Sequence, residues 1–426
     1  MFTSCSCLWT DFDCEELNAD KTRVYLERSK SSPIHLRLDG GDDLSPQSPF
    51  LQIIPHSIDR LESLTLNGTS GNLQEITVHL SSPAPLLEYL FINSNSPEPR
   101  RNPVLTTTLF SGDLSSLREL CLYSVRTELP WRNMVNLTSF TLSNTSPRNV
   151  PIRQFLGFVE SAPHLREIEL FEATPTSDAQ NGRLVSLTSL EKIEIFGDES
   201  PSLLLDHLII PVGVELTVET TSRGPLIEDH FPRSLDNLRN LPNFTDIYLR
   251  MDERCPQMEF TGPNGRVSMA RLTHRVNSTC SVLESLARFD TSKTERLKIG
   301  GGNSPSSDPF YQVLLPMKYL RTLTLPLCTN SDAFIHALDP STSSSEAAVC
   351  PELKELILDC CASGKKLSLQ SVIGMAAARA LRGAKLGAVR IVHGQGGIDL
   401  VDVLELRKHV GHVDYCPGIG VVRRER

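Results

Sequence analysis

One hexamer constrains this chain more than any other feature: an apolar residue, two mostly polar ones, then apolar–x–apolar. It reads LESLTL from Leu61, LEYLFI from Leu87, LRELCL from Leu117, LTSFTL from Leu137, LREIEL from Leu165 and LEKIEI from Leu190. It continues as FTDIYL from Phe244, LRTLTL from Leu320 and LKELIL from Leu353. Weaker copies are LQEITV from Leu73, ERLKI around Leu297 and LGAVRI from Leu386. Clear copies lie mostly 20 to 33 residues apart, longer and less regular than the roughly 20–29-residue leucine-rich period. The last three residues alternate in, out, in, as a short strand does. The leading leucine sits across a turn and packs into the same interior. One unit cannot bury its apolar edge alone, so neighbours must stack, each strand pairing in parallel with the next.

Helical patterns fill the intervals. Gln154–Glu160 ends at Ser161-Ala-Pro163, Asp332–Leu338 ends before Asp339-Pro340, and Ser368–Arg382 is followed by Gly383 at the expected C-cap. The fold class expected is α/β, a leucine-rich-repeat solenoid (horseshoe) with parallel strands on the concave face and irregular helices and loops outside. Three segments follow: 1–33, an N-terminal segment and capping helix; 34–415, one irregular solenoid; and 416–426, a tail. At the start, Asn18 or Asp20 caps a helix over Lys21–Ser29, and Ile34–Leu38 supplies the first strand. Trp9 and Phe12 cover the apolar end of the stack, Trp9 partly exposed and the first ten residues poorly ordered. The long gap between Phe244 and Leu297 holds MEFTGPNGRVSM, whose Pro263-Asn264-Gly265 turn predicts a hairpin insertion near 255–270. Ser304–Asp308 and Asp339–Glu346 read as Ser/Pro-rich loops.

Composition narrows the function. With 39% hydrophobic and 22% charged residues over 426 positions, the chain carries enough apolar surface for a core. A net charge of −9 argues against nucleic acid as the main partner, because phosphate binding needs a basic face. The one basic cluster, Arg423, Arg424 and Arg426, reads as a solvated tail. No stretch reaches the roughly 18 apolar residues of a membrane span. The opening MFTSCSCLWTDFD lacks the basic start and apolar run of a signal peptide. The 11 cysteines include no CxxC and read as free thiols in a reducing compartment, so cytoplasm or nucleus is expected. The five Asn-x-Ser/Thr sequons then read as chance matches.

Searches for catalytic patterns return little. His393-Gly-Gln-Gly-Gly397 lacks phosphate-loop spacing, and Ile299-Gly300-Gly301-Gly302 leads into Asn303-Ser304-Pro305 and not into a helix. His409 and His412 read as surface histidines at a helix end, with no nearby glutamate or third ligand for a metal. The expectation is a protein with no enzyme activity, no cofactor and no metal. What stacked strands offer is surface. The residues between the two apolar strand positions are Thr65, Phe91, Cys121, Thr141, Glu169, Glu194 and Tyr248. Those just after the hexamer are Asn67, Asn93, Tyr123, Ser143, Phe171, Phe196 and Arg250. Around the middle repeats, aromatic rings stand beside carboxylates, the composition of a protein-recognition patch. The candidate partner-binding residues are Glu167, Glu169, Phe171, Glu194, Phe196, Tyr248 and Arg250, suited to a basic or mixed segment. The plainer alternative is that the phenylalanines only cover the turn above each strand.

Leu8–Asp39, LWTDFDCEELNADKTRVYLERSKSSPIHLRLD, resembles the segment that directly follows the F-box in F-box-like leucine-rich-repeat proteins of mushroom-forming fungi. Leu386–Tyr415, CSVLESLARFDTSKTERLKI from Cys280 and LLPMKYLRTLTL from Leu314 resemble their middle and closing elements, so the likeness spans residues 8–415. The resemblance implies the substrate-binding arm of a cullin–RING (SCF-type) ubiquitin ligase receptor, which holds an unknown protein substrate and does no chemistry. The F-box that would dock a Skp-type adaptor finds no counterpart in residues 1–60, so Skp-type adaptor and cullin are implied only for a product that carries one. The alternative reading is a free-standing leucine-rich-repeat interaction protein without a ligase. Nucleic acid and membrane are not expected partners.

Overall fold

The computed structural model describes residues 6–13, 19–40, 54–95, 103–105, 109–127, 133–144, 150–176, 183–198, 201–221, 230–241, 243–251, 255–271, 279–300, 307–326, 332–341, 348–359, 369–392 and 399–416. The expectations for residues 1–5, Asn18, Ser304–Ser306, residues 342–346, His393–Gly397 and most of the 416–426 tail lie outside the described residues. The sequence pattern treated 34–415 as one array. The chain divides into two compact units, residues 1–216 with 232–238, and residues 217–231 with 239–426. Each is α/β with a mostly parallel sheet.

The sheet of the first unit contains β1 (Asp11–Asp13), β2 (Ile34–Gly40), β3 (Leu61–Gly68), β4 (Tyr89–Ser94), β5 (Glu119–Tyr123), β6 (Ser139–Ser143), β7 (Glu167–Phe171) and β8 (Lys192–Gly197). Each strand pairs in parallel with the next in this order. The hexamers make these strands. In LRELCL, Leu117, Leu120 and Leu122 are all fully buried. The leading leucine closes a turn: its N–H donates to the carbonyl three residues back, at 3.1 Å for Leu87, Leu117, Leu137, Leu165 and Leu190 alike. The next N–H reaches the neighbouring repeat, Arg118 to Glu88, Thr138 to Arg118, Arg166 to Thr138 and Glu191 to Arg166, each at 2.8 Å. That ladder continues the strand pairing below the strands. It also exposes a repeat position the hexamer omits. Ile58, Ala84, Leu114, Met134, Ala162 and Leu187, three residues before the leading leucine, are buried too.

One weak copy is not a strand. LQEITV from Leu73 lies in α2 (Ser70–His79), the helix after α1 (Ala19–Ser29). Thr69 caps α2, its hydroxyl accepting from the Asn72 N–H, and Leu73, Ile76 and Leu80 bury one helical face. The cap and the three-to-four-residue apolar spacing override the local alternation. In α3 (Ile152–Ser161), Phe155 and Phe158 meet Phe140 of β6 with centroids 6.5 and 4.6 Å away. The first strand of the sheet is β1, ahead of Ile34: Asp11, Phe12 and Asp13 pair with His35, Leu36 and Arg37. Ser6–Trp9 form a 3-10 turn where a poorly ordered start was expected. Trp9 is half-buried, edge-on to Tyr25 at 5.0 Å with the Arg28 guanidinium 4.4 Å above its ring, and Phe12 is buried.

Strand β9 (Glu215–Thr220) carries the chain from one set of residues to the other. The second unit contains β10 (Asp246–Arg250), β11 (Gln257–Gly262), β12 (Gly265–Arg271), β13 (Arg296–Gly300), β14 (Thr322–Pro326), β15 (Glu355–Asp359), β16 (Ala388–Val392) and β17 (His412–Cys416). From β13 to β17 each strand pairs in parallel with the next, and β10 pairs in parallel with β13. On its other side β10 pairs with β11, and β11 with β12, both antiparallel. The hairpin turning at Pro263-Asn264 is thus a member of the sheet and not a projection from it. Gly262 permits this: a Cβ there would stand 2.7 Å from the Phe244 Cα. Phe231, Phe244, Phe260 and Phe289 form one aromatic core, with centroids 4.7 to 6.3 Å apart. Outside the strands lie α4 (Thr279–Leu286), α5 (Ser307–Leu314), α6 (Asp332–Leu338), α7 (Gln370–Leu381) and α8 (Leu400–His409). Ser307 and Asp308, read from sequence as loop, open α5.

The ERLKI repeat is weak because Thr294 occupies the leading-leucine position. It is fully buried, its N–H closes the usual turn on Thr291 at 3.1 Å, and its hydroxyl has no hydrogen-bond partner. A buried unsatisfied hydroxyl costs about 1–3 kcal/mol. Thr294→Val, which keeps the shape and removes the hydroxyl, therefore raises stability by about 1 kcal/mol, read as a higher urea midpoint for the second unit. An unchanged or lower midpoint contradicts this account of the position.

Candidate functional site

The apolar strand positions point into the core, so the residues between them share the opposite face, and the parallel register aligns them across the first unit. One row runs Arg37, Thr65, Phe91, Cys121, Thr141, Glu169, Glu194. A second runs Asp39, Asn67, Asn93, Tyr123, Ser143, Phe171, Phe196, and a third ends Tyr89, Glu119, Ser139, Glu167, Lys192. Five of the seven sequence-predicted residues, Glu167, Glu169, Phe171, Glu194 and Phe196, thus come together on β7 and β8.

Left-handed residues finish three of these strands. Ser124, Asn144 and Glu172 have φ of 52°, 52° and 50°. Their N–H groups donate to the carbonyls of Ser143, Phe171 and Phe196 at 2.8, 2.7 and 2.7 Å. A positive φ at a non-glycine costs about 1–2 kcal/mol, and here the cross-strand bonds offset it. They fix the strand ends that carry the rings. Phe171 and Phe196 stack face to face, with centroids 4.8 Å apart and planes 3° apart. Phe91 and Tyr123 pair at 5.2 Å. All four rings remain partly exposed.

Charge is uneven on this face. Lys192 bridges Glu169 at 3.3 Å and Glu194 at 3.1 Å, and Thr141 donates to the other Glu169 oxygen at 3.3 Å. Burial alone would lower the Lys192 ammonium, but hydrogen bonds and charge from Glu194 and Glu169 outweigh it and raise its pKa. Glu119 and Glu167 are exposed and have no ion pair among the described residues. Arg118 and Arg166, one residue before those strands, pair instead with Glu88 at 3.3 Å and Glu191 at 3.5 Å. Of the four carboxylates on these strands, Glu169 and Glu194 contact Lys192, and Glu119 and Glu167 do not. Burial is the first cause that pushes the Cys121 thiol and the Tyr123 hydroxyl up, and the Glu169 charge adds to both. The face favours cations and disfavours new anions.

Tyr248 and Arg250 lie on β10 of the second unit. Tyr248 is opposite Lys298 of β13, whose ammonium stands 5.4 Å from the ring centroid, and Arg250 is opposite Gly300. Around them the face alternates in sign: Arg296 holds Asp246, Arg266 holds Glu259 at 3.1 Å, and Arg390 spans Glu355 at 3.0 Å and Asp414 at 3.3 Å. The sequence pattern treated all seven residues as one patch because the strands repeat identically. Pairing partners differ between the units, and periodicity does not encode them.

Two grooves lie elsewhere. A polar one of about 740 Å³ in the first unit, at the strand entrances, is lined by Glu88, Arg118, Asn136, His164, Arg166 and Glu191, its arginines already paired. An apolar one of about 470 Å³ in the second unit is lined by Leu283, Leu286, Phe289, Val313 and Pro316. Among the described residues no group of three or more His, Cys, Asp or Glu side chains is placed to hold a metal ion. His409 does have a glutamate neighbour, Glu405 at 3.7 Å one helical turn earlier, contrary to the sequence reading, and His412 lies on β17 beside Asp414. No helix among the described residues is long and apolar enough to cross a membrane.

Compared with known proteins, the chain matches no family model and no curated protein sequence.

Proposed function

We propose that this chain is a non-catalytic protein-recognition scaffold of the leucine-rich-repeat solenoid type, intracellular in its setting, holding a partner on the outward face of β4–β8. One observation carries the reading: the in-register aromatic pairs Phe91/Tyr123 and Phe171/Phe196 beside Glu119, Glu167, Glu169 and Glu194. Rigid aromatic anchors in a polar surround give recognition its affinity, and the excess of carboxylates selects a basic or mixed segment. The resemblance of residues 8–415 to fungal F-box-like proteins supports the substrate-binding arm of a ubiquitin ligase receptor. A free-standing interaction protein would use the same face.

The test is capture of the partner by tagged chain from cells that express it. Phe171→Ala with Phe196→Ala weakens capture about thirtyfold or more, the weight of two hot-spot aromatics, while Glu75→Ala on the outer side of α2 leaves it unchanged. Equal capture by all three proteins contradicts the proposal. Recovery of a Skp-type adaptor and cullin with the partner favours the ligase arm, and partner alone favours the free-standing protein.

A further inference from the structure

The second unit ends on an open sheet edge. Strand β17 pairs with β16 and, among the described residues, with no other strand. Edge strands are usually blunted by shortness, by lysine or proline, or by a bulge. The edge strand β1 of the first unit is three residues long and carries Asp11 and Asp13. β17 runs for five residues, HVDYC, with no lysine and no proline, and its register against β16 is unbroken. The last helix, α8, lies at the same end. Its core side carries Leu406, while Leu400, Val401 and Leu404 are 76%, 70% and 60% exposed. A surface helix ordinarily keeps polar residues opposite its buried stripe. An apolar helix face and an unpaired strand therefore stand together.

We infer that this end is the interface of a two-fold dimer, in which β17 pairs antiparallel with β17 of a second copy and α8 packs on its equivalent. The inference goes beyond the recognition reading and leaves the face of β4–β8 free. A two-fold interface must be self-complementary, and this end is so twice. Along the strand, setting Val413 opposite its own equivalent places His412 against Asp414 of the second copy. The same register places the exposed Tyr415 ring against Gly411, which has no side chain to obstruct it. Setting Asp414 opposite its own equivalent would instead oppose like charges. His412 is beside Asp414 within one strand, and Arg390 of β16 stands 3.3 Å from the same carboxylate. Joining two edges thus gathers a charge-balanced cluster. Along the helix, Asp399 caps α8 and Asp402 lies in its first turn, while Arg407, Lys408 and His409 fill the last. An antiparallel second copy sets each acidic end beside the other's basic end. Leu400 and Leu404 then leave water between the two helices.

Sedimentation equilibrium of the full chain, from micromolar to hundreds of micromolar, is the test. The expected result is a monomer–dimer equilibrium with a dissociation constant in the micromolar range or tighter. Leu404→Glu, at an exposed position, weakens it about a hundredfold, because each dimer then holds two like charges close to its axis. His412→Asp opposes two aspartates across the strands and weakens it about tenfold. Adding Asp414→His to that variant exchanges the two charges and restores the dimer. Circular dichroism matching the wild type shows that each variant is folded, and where Leu404→Glu alters the fold the charge exchange decides. A chain that stays monomeric, a dimer unaffected by Leu404→Glu, or a charge-exchanged protein no tighter than His412→Asp overturns the inference. So does a chain that dimerises only after residues 417–426 are removed, since the tail then occupies the edge. Open-ended oligomers in place of a dimer overturn it as well.

Discussion

Phe140→Ala lowers the stability of the first unit by about 3–5 kcal/mol, the usual cost of deleting a buried ring whose site cannot collapse. Phe140 is fully buried at the inward position of β6 where most repeats carry leucine or isoleucine. The larger ring meets Phe158 at 4.6 Å and Phe155 at 6.5 Å, so it ties the sheet to α3 as well as to neighbouring strands. Phe155 and Phe158 are themselves buried and 6.4 Å apart, which leaves no mobile side chain to fill the void. Because proteins open locally as well as globally, the loss is read by amide hydrogen exchange. Protection falls first in residues 139–143 and 152–171. Phe140→Leu restores most of it, since the other repeats show that leucine fits the position. A Phe140→Ala protein with wild-type protection throughout contradicts this packing.

Arg379→Ala destabilises the second unit by about 1–3 kcal/mol, the cost of withdrawing the side-chain donors from two buried backbone carbonyls. Arg379 lies on the inner side of α7 and is fully buried, with no carboxylate in ion-pair range among the described residues. Burial lowers its pKa, and its Nη1 and Nη2 donate to the carbonyls of Val349 and Cys350 at 2.7 and 2.8 Å. Those carbonyls belong to a turn in which Cys350 has a φ of 48°. Its thiol contacts the Leu314 carbonyl at 3.5 Å, and the Leu353 N–H closes the repeat on its carbonyl at 3.1 Å. The arginine fork therefore holds the turn that begins the β15 repeat. Arg379→Lys recovers part of the loss, because one ammonium serves two carbonyls with poorer geometry. Urea titration followed by hydrogen exchange in residues 348–359 measures both variants, and full stability of Arg379→Ala would contradict this role.

Cys350 reports on the same turn. Burial pushes its thiol up to about 12, with the Arg379 charge partly opposing, against 9.0 for a free thiol. The folded value lies above the unfolded one, so the unfolded chain loses its proton first. The stability contributed by the neutral thiol is complete below about pH 9 and is lost as pH climbs toward about 12. Cys350→Ala flattens that decline, whereas an unchanged alkaline profile would contradict it.

The hexamer carried the strands and most of the candidate face, because a period of two fixes which side chains point outward and parallel pairing preserves their rank. Thr65, Phe91, Cys121, Thr141, Glu169 and Glu194 stand in one row as spacing required. The buried position three residues upstream escaped notice because alanine, leucine, methionine and isoleucine share it, and no single letter recurs. LQEITV satisfied the strand pattern and still became helix, since Thr69 caps it and Ile76 and Leu80 extend a helical face. β1 is three residues long, too short for periodicity to register. Arg379 is a core residue because its fork reaches the distant turn at Val349–Cys350, a contact no local sequence pattern encodes. Tyr248 and Arg250 matched the repeat pattern faithfully, yet their neighbours come from strand pairing in a different unit.

The central claim is that partner recognition resides on the outward face of β4–β8. Site-specific photocrosslinking addresses it most directly, with p-benzoylphenylalanine placed in turn at Asn93, Tyr123 and Phe196, and for comparison at Glu75 on α2 and Lys408 on α8. Crosslinks to one and the same partner protein from the first three positions, with none from the last two, are the predicted result. Crosslinks to that partner from Glu75 or Lys408 but not from the sheet face would contradict the account.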